Sequence, residues 1–194
     1  MKNKLIAFIA VLLIVAQILL VLLSWLLSAM MNEGVRSLIS GEGVRWFLGQ
    51  FVSMMQTPLL VWMLLLAMAI GCVRQAVGGA ESVGRKRRIW AAGMALSVSL
   101  FCVTVVGLLA VMPHAVLLSA TGQLFPSPFS RSLIPLLALT TILSATAYGL
   151  VIRSFHSFTD IIRALVGGLE ALAPWLLVYL LAMQCYETVR YVFL

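Results

Sequence analysis

Charge is what this chain has least of. Charged side chains make up 10% of its 194 residues, only six are acidic, and there are two histidines and three cysteines. A soluble domain needs a polar shell, in which roughly a quarter of the residues are charged. No such shell can be built from this composition, which excludes an ordinary water-soluble globule. The cysteines Cys72, Cys102 and Cys185 lie far apart, inside or at the edge of apolar runs, with no CxxC or Cys/His spacing. They read as small packing residues rather than metal ligands. His114 and His156 sit at segment edges without a carboxylate at ligand or catalytic spacing. No GxSxG elbow, HExxH or Gly-rich phosphate loop is present, so no catalytic residue, metal or cofactor is expected, and an integral membrane enzyme is poorly supported.

What is abundant is apolar sequence. Hydrophobic residues make up 63% of the chain and the mean hydropathy is +1.12. Most of the surface must therefore face lipid or other apolar protein, and the fold class is an all-α integral membrane protein with the bilayer as its first partner. A bilayer core of about 30 Å takes roughly 20 helical residues to cross. Five runs suffice: residues 5–31, 57–73, 90–112, 132–152 and 164–185, taken together as one membrane domain. The first, behind Lys2 and Lys4, is far longer than the 7–15 apolar residues of a signal peptide and reads as a membrane anchor. Pro58 suits the first turn of the second helix. Before that crossing, residues 40–56 predict an amphipathic helix, with Ser40 as N-cap and Glu42 in the first turn. Val44, Phe47, Leu48, Phe51, Val52 and Met55 then recur at helical spacing, for a helix lying in the interface or dipping into protein. Pro126 and Pro128 exclude a continuous helix through the external connection, residues 113–131.

The basic residues are unevenly shared. With five crossings, the N-terminus and the connections 74–89 and 153–163 share one side, and carry nine Lys and Arg against four on the other. The positive-inside rule places that side, with the N-terminus, in the cytoplasm, and the C-terminus on the far side. The run Arg85, Lys86, Arg87 and Arg88 is thus expected to anchor topology rather than to bind nucleic acid.

Few polar residues interrupt the spans. Glu170 lies in the first half of the fifth, behind Asp160 and Arg163. It is either a functional intramembrane carboxylate or near enough to the surface to reach water or pair with the basic side. Ala164 and Gly168, with Gly167 and Ala171, form two small-xxx-small pairs suited to close helix packing. Pro174 can kink the same helix, as in helices that line transporter sites.

Two stretches resemble the AbgT family of p-aminobenzoyl-glutamate transporters. One contains Pro126-Ser127-Pro128-Phe129, Pro135, Ala147-Tyr148-Gly149, Asp160 and Gln184; the other contains Ser40-Gly41-Glu42-Gly43-Val44-Arg45-Trp46. Together they cover about two thirds of the chain. The resemblance implies the scaffold part of an elevator-type transporter in a bacterial inner (cytoplasmic) membrane. Family members are far longer. The basic connection stands where the resemblance would place the first re-entrant hairpin, and the similarity ends just after Gln184, before the second. The family's Ser-x-x-Trp and Arg-x-x-Asp substrate pairs have no counterpart, and Ser144-Ala145 replaces a helix-bending Pro-Gly. The resulting expectation is a scaffold or interaction protein, a homodimer or the support of another membrane protein. The alternative is a component of a carrier for p-aminobenzoyl-glutamate or antimetabolite drugs, in which Glu170, Pro174 and Gln184 would serve transport.

Overall fold

A computed structural model describes residues 2–30, 35–80, 83–111 and 128–193. Among them, every regular element is an α-helix. They are α1 (Lys2–Ala29), α2 (Gly41–Met55), α3 (Pro58–Gly78), α4 (Arg85–Val111), α5 (Pro128–Ile152) and α6 (Phe158–Phe193). All except α2 are long and apolar enough to cross a membrane. The central part of the expected external connection, residues 112–127, lies outside the described residues, and so does His114.

Helix ends are set by local satisfaction of their backbone groups. At α2, Ser40 is the N-cap and its Oγ accepts from the Gly43 N–H at 3.1 Å. At α6, Ser157 and Asp160 form a capping box: Ser157 Oγ accepts from the Thr159 N–H, and the Asp160 carboxylate accepts from the Ser157 and His156 N–H groups. This starts α6 at Phe158, inside the stretch 153–163 expected as a connection. The helix has 36 residues, or about 54 Å at the α-helical rise, longer than a bilayer core. Likewise Arg85–Arg88, expected in a loop, form the first turn of α4. The Gly84 carbonyl accepts from the Arg88 N–H at 3.2 Å to start the helix, and Arg and Lys are good helix formers.

The residue contacts divide the chain into two units, Met1–Leu60 with Leu172–Leu194, and Val61–Ala171. In the first unit, α1 is tied to the last part of α6. Gln17 Nε2 donates to Thr188 Oγ1 at 2.9 Å, and the Cys185 thiol approaches the Leu13 carbonyl at 3.5 Å. The segment before α2 joins them. The Arg36 N–H donates to the Val192 carbonyl at 3.3 Å, and Trp46 stacks on Tyr191 with centroids 4.0 Å apart. Thr57 and Tyr179 share a hydroxyl–hydroxyl bond. The expected apolar stripe of α2 is largely uncovered: Val44, Leu48, Phe51 and Val52 are exposed, while Gly43 and Met54 are the buried positions. That pattern suits a helix lying in the membrane interface.

In the second unit the core is small and tight: Cys72, Ala76, Ala145, Phe155 and Ala164, with Val73, Ile142, Tyr148, Ile161 and Leu165 packed around it. Beside it α4 runs along α5, and Ser99 and Ser144 join their hydroxyls at 2.7 Å. The α5 helix continues unbroken through Ser144-Ala145. It ends in a Schellman turn. The Ser154 N–H donates to the Gly149 carbonyl, the Arg153 N–H to that of Leu150, and Arg153 takes φ 66°.

Helices α3 and α6 approach each other closely. A Cβ on Gly71 would lie 2.6 Å from the Gly168 Cα and collide with the Ala164 carbonyl. A Cβ on Gly168 would strike the Ala67 carbonyl. Two small-xxx-small pairs, Ala67/Gly71 and Ala164/Gly168, therefore mesh backbone to backbone. Gly167, one residue away, has nothing within 4 Å of a notional Cβ. This contrast predicts that Gly168→Ala destabilises the fold by about 1–3 kcal/mol through overpacking. Gly167→Ala should be neutral or mildly stabilising, since alanine is the better helix former. Unfolding of both variants in mixed detergent micelles measures the difference.

Candidate functional site

The residues singled out in the sequence fall on two separate regions. Ala164 is 2% exposed and, with the buried Gly168, forms the seam with α3 just described. Gly167, Glu170 and Ala171 are all exposed. With Arg163 they stand at i, i+4, i+7 and i+8, which puts them on one face of α6. Arg163 is paired at 3.6 Å with Asp160. Glu170 has no hydrogen bond or ion pair among the described residues. That face is therefore small at Gly167 and Ala171 and carries one lone carboxylate.

Gln184 and Pro174 belong to the other unit. Pro174 is an exposed residue within the continuous α6. Gln184 lines a cavity of about 280 Å³ together with Gln17, Val21, Leu38, Val44, Phe47 and Leu48. Gln17 sits in the middle of α1, and its amide is split between two situations. Nε2 is bonded to Thr188, a residue with no exposure, while Oε1 is buried and unpartnered. Nearby in the same unit, Ser24 is also fully buried, and its Oγ accepts from the Leu38 N–H at 3.3 Å while donating to the Val21 carbonyl. Neither Gln17, Ser24 nor Thr188 was singled out in the sequence. The available signal was Gln17 itself, a primary amide inside a helix otherwise almost wholly apolar.

The basic run plays a structural part. Arg85, Lys86, Arg87 and Arg88 are exposed at the N-terminus of α4, where the helix dipole disfavours cations. Arg87 Nε reaches instead to the Val151 carbonyl at 2.7 Å, in the last turn of α5. There a cation meets the negative end of a helix and satisfies a carbonyl the helix leaves open. No group of three or more His, Cys, Asp or Glu that could hold a metal is found among the described residues.

The five long apolar helices define an all-α membrane protein. The sequence profile of the AbgT putative transporter family matches residues 80–190, more than half of the chain. The chain belongs to this family, which is one of transporters and not of enzymes. The match contains the whole of the resembling stretch from Pro126 to Gln184 but begins after the one around Ser40–Trp46. No curated protein and no solved structure matches the chain.

The bond from Gln17 to Thr188 yields a further prediction. Thr188→Val leaves the Gln17 amide with no partner at either end and should lower stability by about 1–2 kcal/mol, the range for such groups inside membranes. Adding Gln17→Leu removes the stranded amide and should recover most of that loss. A double-mutant cycle of denaturation in mixed micelles checks both values.

Proposed function

We propose that this protein is an AbgT-type membrane scaffold whose α6 face binds a second membrane chain, either another copy of itself or a different protein. Glu170 carries the reading. An unpaired carboxylate turned outward from a membrane helix is expensive in lipid, and a partner offering a cation or hydrogen-bond donor relieves that expense. Gly167 and Ala171, beside it on the same face, let a second helix backbone come close. The seam between α3 and α6 supports the same view, because it shows this helix already using small residues for close packing. The resemblance to AbgT transporters implies a bacterial inner membrane, and the charge bias argues for an N-terminus in the cytoplasm.

The reading is tested by replacing Ala171 with a photo-reactive phenylalanine analogue and irradiating cells or native membranes. The expected product is a covalent adduct with a membrane protein chain. Gly167→Leu, which fills the face without touching the seam, should cut the adduct about tenfold, a loss of about 1.4 kcal/mol of association. Adducts with lipid alone would contradict the proposal.

A further inference from the structure

We infer that the cavity between α1, α2 and the last part of α6 is a binding site for a small neutral molecule with an apolar body and a hydroxyl head. Three observations on one unit carry this. The first is size and lining: about 280 Å³ bounded by Val21, Leu38, Val44, Phe47 and Leu48. That is enough for a compact ring or short chain, but it offers no cation or carboxylate to receive a charged ligand.

The second is the hydrogen-bonding imbalance. Gln17 Oε1 is buried without a donor, although Nε2 of the same amide is satisfied by Thr188. A buried acceptor left open costs the desolvation of that group, and proteins rarely tolerate it without a reason. A small rotation of the amide presents the oxygen to the cavity that Gln17 already lines, where a ligand O–H supplies the missing donor. The third is Gln184 on the same lining, whose amide also makes no hydrogen bond among the described residues. It supplies an N–H to the lone pair of the same hydroxyl. An alcohol, donor and acceptor at one atom, fits between two amides in a way that an ether or a hydrocarbon cannot. Few convergent polar groups in an otherwise apolar pocket is the usual make-up of a small-molecule site.

Leu48 is 70% exposed and also lines the cavity, so it stands at the mouth. Access from that side runs past α2, the amphipathic helix, and a ligand dissolved in the membrane interface can enter there.

The test uses the full-length protein in lipid nanodiscs and a diazirine derivative of 4-phenylbutanol as photo-probe. Mass spectrometry of the labelled chain should place adducts on the lining residues of α1, α2 and α6. Unlabelled 4-phenylbutanol should compete about tenfold better than its methyl ether, the equivalent of one well-placed hydrogen bond. Gln17→Leu should erase that preference. Because Gln17→Leu also removes the bond to Thr188, Leu48→Trp provides a second arm: it fills the mouth from the exposed side and should reduce labelling about tenfold with α1 and α6 intact. Equal competition by alcohol and ether, adducts spread along the outer face of α1, or undiminished labelling of the Leu48→Trp protein would each overturn the proposal. The outcome is separate from that at Ala171, which reports on α6 in the other unit.

Discussion

The backbone contact between Gly71 and Gly168 is the constraint from which the second unit is built. With apolar lipid on all sides, helices gain little from burying leucine against leucine, and association rests on close van der Waals fit. Only residues without a bulky side chain permit it, and α3 and α6 each bring a small pair at matching spacing. The core follows from that separation. Cys72, Ala76, Ala145 and Ala164 are all small, and Phe155 is the one large buried side chain of that cluster. Larger groups such as Ile142, Tyr148 and Leu165 stay at its edge.

Lipid also dictates how polar groups are placed. Thr140, Thr141, Ser144 and Thr146 each donate to the carbonyl four residues back, as Ser97 and Thr104 do in α4. These hydroxyls are satisfied within their own helix and leave little free capacity for a ligand. Against that background the exceptions stand out: the Gln17 amide with one end open, Gln184 without a bond, and Glu170 without a partner among the described residues. The proposed functions rest on these three.

The number of helices and their apolar character were legible because the apolar runs are long and rarely interrupted. The Ser40 cap was legible as well, since its chemistry is local and its partner lies three residues away. Helix ends were harder. The capping box at Ser157 and Asp160 was present in the sequence, but hydropathy marks where lipid begins and not where a helix does. The basic run has the charge of a loop but the propensity of a helix, and its bond from Arg87 to Val151 spans 64 positions of sequence. The seam was half visible. Ala164 and Gly168 stand out on α6 by their spacing, whereas Ala67 and Gly71 have the same spacing on α3 and only their juxtaposition gives them meaning. Gln17 is the opposite case: a single amide in a membrane anchor gains its meaning only from Thr188, 171 positions away in sequence.

The central claim is the close approach of α3 and α6, and it is measured most directly by the separation of the two glycines in a bilayer. Solid-state NMR on protein with labelled glycine, in lipid, should show a cross-peak between the Gly71 and Gly168 α-protons. A spectrum lacking that peak, while retaining the contact between Ser99 and Ser144 in the same unit, would contradict the account.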